Sequence, residues 1–325
     1  MPRVASERMY MPAQKTLAHP GIPLLLSVCL TATIAGGAFG AGKGLQAILE
    51  MHSALFKTQE PVEVRFSIWN DGETEAKGLP AAPLTRYFQL YDADGKALPA
   101  AKDASVDAPR PPSLPPGGHY GLAFDLAKLF PQLRNPGTYR IAWSAAGLIS
   151  NQAVLKIVPA YDPKRNYVGI VETNSGTIRI KFFPDKAPLA VKNFIELANS
   201  GFYDGTRIHY VEPGRLIAGG DRNGTGGGTP GYTYPVEVNE LEFLAGTMAM
   251  RHAGNPPTNG SQFFILAAPR VEYAGRYTAF AQVVSGLEIV QQISQIPNSG
   301  RQTDPPNQPL SDVIVTRVTI SEAKE

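Results

Sequence analysis

Apolar and polar side chains alternate along several short segments of this chain between residues 45 and 158. In segment 62–69, valine, phenylalanine and isoleucine occupy every second position, and the turn-forming sequence Asn70-Asp71-Gly72 follows them. Because successive side chains of a strand point to opposite faces, this period predicts a half-buried strand. The same alternation recurs at 87–91 and 139–143, next to further turn residues. The sequence therefore predicts a mainly β fold whose first half is a β-sandwich.

Length and composition suit a protein with two compact domains. The chain has 325 residues, which is more than one hydrophobic core usually organises. Its hydrophobic fraction of 43% and charged fraction of 18% are ordinary for a globular protein. A polar segment bracketed by prolines, 159–165, predicts the boundary between the domains. We predict an immunoglobulin-like β-sandwich at 41–160, a resemblance of pattern only, and a second domain at 161–325.

Residues 1–40 have the pattern of an export signal. A basic start precedes an apolar run from Ile22 to Ala35, which is shorter than the roughly 20 apolar residues of a membrane-spanning helix. We expect cleavage after Gly40 and export to the periplasm or the extracellular space, with an uncleaved anchor as the alternative. The single cysteine, Cys29, lies in a sequence faintly similar to a bacterial lipoprotein box, and its lipidation would tether the protein to a membrane.

Several classes of site are disfavoured by the sequence. The formal net charge of +2 originates in the first 40 residues, so a nucleic acid or an anionic lipid is an unexpected partner. The five histidines are scattered without metal-ligand spacing. The glycine-rich segment 223–228 lacks the lysine of a phosphate-binding loop and is predicted to be a surface loop. We therefore expect no metal, no cofactor and no nucleic acid, and membrane contact only if the N-terminal segment is retained or lipidated.

The second half combines strands with two helical patterns. Alternating residues flank Asn174-Ser175-Gly176, which predicts a β-hairpin. A helix is predicted from Pro188 to Ser200, because proline suits its first turn and Gly201 suits its end. Another helix is predicted from Leu287 to Ile296, with Pro297 ending it. Two helices among many strands fit a small closed barrel capped at its ends.

The most specific motif is the run Thr258-Asn259-Gly260-Ser261-Gln262-Phe263-Phe264-Ile265, which follows Met248-Ala249-Met250. Its two phenylalanines point to opposite faces of a strand, so that one can fill a core and the other can line a groove. Together with Gly219-Gly220-Asp221, Asn193-Phe194 and Tyr203-Asp204-Gly205-Thr206, the run resembles the cyclophilin family of peptidyl-prolyl cis-trans isomerases. The resemblance covers Asp162 to about Glu322. It implies an eight-stranded antiparallel β-barrel with two capping helices and a substrate groove on its outer face.

The resemblance also implies roles for individual residues. Gln262 corresponds to a glutamine that hydrogen-bonds the substrate and orients the catalytic arginine, and His209 to a histidine beside the catalytic strand. Arg251 and His252 occupy positions whose backbone groups contact the substrate chain. The implied apolar pocket for the proline ring consists of Leu216, Phe264, Tyr273 and Tyr277.

Three positions near one strand depart from the family pattern. Where the family carries its catalytic arginine, a pocket phenylalanine and a pocket glutamine, this chain has Tyr210, Arg215 and Ala218. A tyrosine hydroxyl donates one hydrogen bond without a charge, so we expect Tyr210 to stabilise a twisted amide less than a guanidinium does. One hypothesis is that Arg215 or Arg251 returns a guanidinium to the pocket. The alternative is that both arginines point to solvent.

Two functions remain open at this point. The first is an exported peptidyl-prolyl isomerase of reduced or altered activity that assists protein folding. It would act as a monomer on proline-containing peptides or unfolded exported proteins. The alternative is a non-catalytic module or scaffold that binds proline peptides, with the sandwich as a second contact surface. The groove aromatics fit both functions, whereas the three departures favour binding alone.

Overall fold

The computed structural model describes residues 44–323 except 103, 107–109 and 254–257. The predicted export signal at 1–40, including Cys29, lies outside the described residues. No helix among the described residues is long and apolar enough to span a membrane. The described chain is mainly β, with few helices.

The first half contains two β-sheets. Its elements are β1 (Leu45–Met51), β2 (Leu55–Lys57), β3 (Glu63–Asn70), β4 (Phe88–Tyr91), β5 (Ala97–Leu98), β6 (His119–Asp125), α1 (Leu126–Leu129), β7 (Gly137–Ala145), β8 (Leu148–Ile149) and β9 (Ala153–Val158). One sheet has the order β1-β3-β6, and the other has the order β2-β9-β7-β4-β5 with β8 beside β7. The strands predicted from alternation at 62–69, 87–91 and 139–143 correspond to β3, β4 and β7.

Trp143 on β7 shows how these two sheets meet. Its side chain is fully buried, and its ring lies 4.6 Å from the ring of Phe66 on β3, in the other sheet. The indole nitrogen donates a hydrogen bond of 2.8 Å to the backbone oxygen of Leu84. Buried side chains of both sheets therefore share one hydrophobic core. The immunoglobulin-like topology of this half stays a prediction.

The second half contains one larger sheet and two helices. Its elements are β10 (Tyr167–Thr173), β11 (Gly176–Phe182), α2 (Pro188–Ser200), β12 (Tyr210–Glu212), β13 (Leu216–Gly219), β14 (Tyr234–Pro235), β15 (Thr247–Ala253), β16 (Thr258–Leu266), β17 (Thr278–Ser285), α3 (Leu287–Ser294) and β18 (Val315–Glu322). The predicted hairpin at 174–176 and the bounds of α2 are confirmed, whereas α3 ends two residues before the predicted Ile296.

The sheet order is β12-β13-β16-β15-β17-β11-β10-β18, with β14 paired beside β16. Backbone hydrogen bonds connect the two ends of this order through the segment that precedes β12. Ile208 donates to the oxygen of Val313 at 2.9 Å, and Val315 donates to the oxygen of Thr206 at 2.8 Å. The eight-stranded closed barrel stays a prediction.

Helix α2 packs its apolar face into the core of the second half. Phe194 is fully buried, and its ring lies 4.8 Å from Tyr203 and 5.3 Å from Phe280. At the start of the helix, the carboxylate of Glu237 accepts hydrogen bonds from the backbone N–H groups of Leu189 and Ala190, at 2.9 and 2.8 Å. A carboxylate there satisfies donors that have no partner inside the helix.

We expect Phe194→Ala to destabilise the second half by about 3–5 kcal/mol, because it removes a buried ring from a close-packed core. Leu189→Ala is the matched control on the same helix, since Leu189 is 46% exposed, and it should change stability by no more than about 0.5 kcal/mol. Urea unfolding followed by far-ultraviolet circular dichroism measures both effects.

Tryptophan fluorescence separates the two halves in this experiment. Both tryptophans of the chain, Trp69 and Trp143, lie in the first half. If each core unfolds independently, the unfolding midpoint measured by tryptophan fluorescence should be the same in Phe194→Ala as in the wild type. A common shift of both signals would contradict independent unfolding of the two halves.

Candidate functional site

The site begins with one row of paired residues across neighbouring strands. Tyr210 on β12 pairs with Ala218 on β13, which pairs with Phe264 on β16, and Phe264 pairs with Ala249 on β15. Residues paired directly opposite each other share one face of a sheet. The small alanines on either side of Phe264 therefore leave room around its ring.

That room is a cavity of about 240 Å³ on the outer face of the sheet. Its aromatic wall is compact: the Phe264 ring lies 5.1 Å from Tyr277 and 5.8 Å from Tyr273. Phe263, the preceding residue, is buried in the main core on the opposite face, as the sequence predicts. The apolar and aromatic residues that line this cavity are Tyr210, Leu216, Ala218, Phe264, Tyr273 and Tyr277.

Arg251 enters this cavity from β15 at an irregularity of the sheet. Between the pairs Met250–Phe263 and His252–Asn259, the single residue Arg251 faces three residues of β16. Such irregularities re-aim side chains. Here Arg251 Nη1 donates hydrogen bonds to Gln262 Oε1 at 2.7 Å and to the backbone oxygen of Gly226 at 2.8 Å. Gln262 thus orients an arginine, but the arginine is Arg251.

The glycine-rich segment 223–228 holds Gln262 from the other side. Gln262 Nε2 donates to the backbone oxygens of Gly226 at 3.0 Å and Gly228 at 2.8 Å. The carbonyl oxygens of the loop therefore face the site. A phosphate-binding loop needs the opposite arrangement, with N–H groups facing the ligand. The structure agrees with the predicted surface loop.

Asp221 gives the loop its shape. Its carboxylate is fully buried and accepts hydrogen bonds from the backbone N–H groups of Asn223 at 2.8 Å, Thr225 at 3.0 Å and Gly226 at 2.7 Å. Burial alone would raise the pKa of Asp221, but these backbone donors outweigh it and lower the pKa. A side chain at position 228 is excluded, because its Cβ would lie 1.8 Å from Asp221 Oδ1.

His209 lies under the loop and faces the cavity. The residue is 5% exposed, and neither ring nitrogen has a hydrogen-bond partner among the described residues. Burial lowers the pKa of His209 to about 4; the carboxylate of Asp221 opposes this shift and Arg251 adds to it. His209 is therefore neutral near pH 7 and fills space beside the cavity instead of carrying charge.

A second, smaller cavity of about 150 Å³ adjoins the first. Arg251 lines both cavities, and Gln262 lines the second one next to it. His252 lines the second cavity as well, and its ring stacks on Tyr277 at 4.7 Å. No group of three or more potential metal ligands occurs among the described residues.

The comparisons with known proteins agree with this geometry. A model of the cyclophilin type peptidyl-prolyl cis-trans isomerase/CLD family matches residues 168–320. A peptidyl-prolyl cis-trans isomerase of Synechococcus elongatus is 50% identical over 113 residues, which are 35% of this chain and 77% of that protein. The chain belongs to the cyclophilin-type peptidyl-prolyl cis-trans isomerases.

Further cyclophilins match the same half of the chain. Peptidyl-prolyl cis-trans isomerase B of Bacillus subtilis is 45% identical over 119 residues, which are 36% of this chain and 82% of that protein. A cyclophilin type peptidyl-prolyl cis-trans isomerase of Cryptosporidium parvum, whose crystal structure was obtained in the presence of the dipeptide Ala-Pro, is 31% identical in sequence. The superposition covers 47% of this chain and 98% of that chain, with a TM-score of 0.44.

Tyr210, for which the resemblance implies the place of the catalytic arginine, is held by a residue that the sequence analysis missed. Its hydroxyl oxygen accepts a hydrogen bond of 2.9 Å from Asn307 Nδ2. Asn307 is 3% exposed and adopts a φ of 51°, a conformation that asparagine tolerates better than most residues. The positive φ cannot be inferred from the sequence, and Asn307 is 97 residues from Tyr210.

Arg215 does not line either cavity, which differs from the prediction that it binds substrate. Its Nη1 donates to Glu212 Oε1 at 2.7 Å, and Arg301 Nη2 donates to the same oxygen at 2.6 Å. This ion pair in the turn between β12 and β13 keeps the Arg215 guanidinium outside the groove. Of the two arginines considered, only Arg251 reaches the cavity.

We expect the buried His209 to make stability depend on pH between about 6.5, the ordinary pKa of histidine, and about 4. In this window the unfolded chain binds a proton that the folded chain does not, so stability falls as pH falls. The loss is on the order of 3 kcal/mol at most. His209→Gln should flatten this part of the profile in urea unfolding, and equal slopes in both proteins would contradict the prediction.

Proposed function

We propose that this cyclophilin is an exported isomerase that binds proline-containing peptides in the aromatic cavity and rotates X-Pro bonds at a reduced rate, assisting protein folding. One observation carries the catalytic part: a guanidinium, held by Gln262, borders a cavity of about 240 Å³ walled by Phe264, Tyr273 and Tyr277. The cavity fits a proline ring, and the guanidinium lies beside it.

Rotation about an X-Pro bond is accelerated by a hydrogen-bond donor and needs no nucleophile. Rotation about an X-Pro bond has a barrier of roughly 18–20 kcal/mol in the absence of a catalyst, because the bond has partial double-bond character. Twisting removes the resonance and localises the lone pair on the proline nitrogen. A donor aimed at that nitrogen therefore binds the twisted state more tightly than either planar state, which lowers the barrier.

Arg251 is the donor that the geometry favours. It is the only charged side chain among the described residues that line the cavity, since His209 is neutral near pH 7. A guanidinium has five N–H donors, so Nη1 can hold Gln262 and Gly226 while other N–H groups face the peptide. We propose that Arg251 performs the role that most cyclophilins give to an arginine at the position of Tyr210.

Tyr210 supports a reduced rate. Because its hydroxyl oxygen accepts a hydrogen bond from Asn307, its own O–H remains available as a second, neutral donor. A neutral donor is weaker than a charged one. Losing one donor in a comparable oxyanion site slows a reaction by about 10²–10³. Arg251 approaches from another strand, and we expect it to restore only part of this factor.

The alternative function, a non-catalytic module or scaffold for proline peptides, uses the same aromatic cavity. It is favoured by the replacement of the usual arginine by Tyr210. The two functions differ in whether a bound peptide isomerises faster.

The remaining proposals concern the whole chain. We propose that the pattern of residues 1–40 directs export to the periplasm or extracellular space, where unfolded exported proteins are the substrates. The first half, an immunoglobulin-like sandwich in this proposal, adds a contact surface for them. The protein acts as a monomer, and membrane contact requires retention of the N-terminal segment or lipidation of Cys29.

Wild-type protein should accelerate cis-trans exchange of a short Ala-Pro peptide, measured by NMR exchange spectroscopy. Phe264→Ala should abolish the acceleration, because the proline ring loses its main contact. Val271→Ala is the control, since Val271 is 78% exposed outside the cavity and should leave the rate unchanged. Peptide shift changes without acceleration in the wild type would contradict the isomerase and support the binding module.

Arg251→Ala should reduce kcat/KM for this peptide by about 10²-fold, because it removes the charged donor. The kcat/KM of Arg215→Ala should stay within about twofold of the wild-type value, because the exposed ion pair of Arg215 contributes little. Arg251→Lys should recover little activity, since an ammonium lacks the planar donor arrangement of a guanidinium. An equal loss in Arg215→Ala, or no loss in Arg251→Ala, would remove Arg251 from the catalytic role.

A further inference from the structure

The second cavity lies directly beside the cavity for the proline ring. Arg251 lines both, so a peptide chain that places proline in the first cavity passes the second within one or two residues. Consecutive Cα atoms are about 3.8 Å apart, and the Arg251 side chain borders both spaces. The second cavity therefore receives a residue close to the proline in the peptide.

Small residues and a few polar side chains line the second cavity, and no described acidic residue is among them. Besides Arg251 and Gln262, the lining includes the glycines at 226–228 and the hydroxyl-bearing residues Thr229, Thr233 and Thr258. Small residues make the space narrow, at about 150 Å³. Such a space admits a short or unbranched side chain and offers it one guanidinium.

Arg251 forms no ion pair with a described residue, and neither do some other arginines of this half, but Arg251 is the arginine that lines both cavities. Arg207, Arg215, Arg270 and Arg301 each form an ion pair with a carboxylate. Within the described part of the chain, Arg251 donates hydrogen bonds to two neutral oxygens, Gln262 Oε1 and the backbone oxygen of Gly226. A cation held by neutral acceptors at an exposed position attracts an anionic partner.

Asp221 is the acidic residue that acts on this region, and it does not enter either cavity. Its carboxylate is fully buried beneath the loop, where backbone N–H groups of the loop donate to it. The negative charge of Asp221 partly offsets the positive charge of Arg251, but its carboxylate forms no ion pair with the guanidinium. The position next to Arg251 is therefore open to a carboxylate from the peptide.

We propose that Arg251 makes the second cavity a specificity site for an acidic side chain close to the proline. The preferred peptide carries Glu or Asp one or two residues before the proline, and its carboxylate forms an ion pair with Arg251. This proposal rests on the proposed binding of proline in the aromatic cavity. It does not require catalysis, because the same contact forms in a module that only binds.

The test compares the peptides Ala-Xaa-Ala-Pro-Ala and Ala-Ala-Xaa-Pro-Ala with Xaa as Glu, Gln or Lys. Binding constants come from NMR titration of the full chain at low salt and at about 0.3 M salt. At one of the two positions, we expect the Glu peptide to bind about three- to tenfold more tightly than the Gln peptide, and the Lys peptide to bind most weakly. The difference between Glu and Gln should shrink at high salt, because salt screens an exposed ion pair.

Two variants assign the preference to Arg251. Arg251→Gln should remove the difference between Glu and Gln peptides, whereas Arg215→Gln, which changes an exposed arginine outside the cavity, should keep it. In the wild type, the Glu peptide should shift the backbone amides of residues 226–229 and 231–233 more than the Gln peptide does. This mapping tests the location even if Arg251→Gln fails to fold.

Equal binding of Glu and Gln peptides by the wild type would overturn the proposal, as would a preference that survives in folded Arg251→Gln. Amide shifts confined to other residues would also overturn it. Exchange acceleration of the neutral Ala-Pro peptide is measured separately. Acceleration without an acidic preference rejects this proposal alone, whereas an acidic preference without acceleration rejects the isomerase and keeps the specificity site.

Discussion

The hydrogen bonds that Asp221 accepts from the loop at 223–226 are the contact on which the groove depends. A buried carboxylate without donors would be costly, so the chain turns its N–H groups inward to satisfy it. This turn points the carbonyl oxygens of Gly226 and Gly228 at Gln262. Gln262 then presents its own oxygen to Arg251. The buried carboxylate of Asp221 thus fixes the position of the exposed guanidinium of Arg251.

Strand β16 links this polar network to the hydrophobic core. Phe263 is buried in the main core and Phe264 forms the wall of the cavity, because consecutive residues of a strand face opposite sides. Gln262 precedes them at the point where the register with β15 shifts. The core therefore fixes the register, and the register places the glutamine beside Arg251. A slip of one residue would exchange the core and cavity faces.

The sequence predicts the parts of this protein that depend on local patterns. Proline at 188 and glycine at 201 delimit α2, and alternation locates β3, β4 and β7. The role of Arg251 was open, because whether it or Arg215 reaches the cavity depends on a register shift and on the ion pair with Glu212. Asn307 could not be found, since its contact with Tyr210 spans 97 residues. The sheet pairings of the first half depend on similarly distant contacts.

The residues at 210 and 218, where the resemblance implies an arginine and a glutamine, are physically connected. Tyr210 and Ala218 are directly paired on β12 and β13, and Ala218 also faces Phe264. A large ring next to Phe264 needs a small neighbour, so tyrosine at 210 and alanine at 218 fit together where arginine and glutamine are usual in the family. The pair makes this side of the cavity aromatic and uncharged. A cation for this groove must then come from another strand, and the irregular pairing of β15 with β16 supplies it as Arg251. Because Arg251 lines both cavities, our proposals give its charge two partners, the proline amide and the neighbouring residue of the peptide.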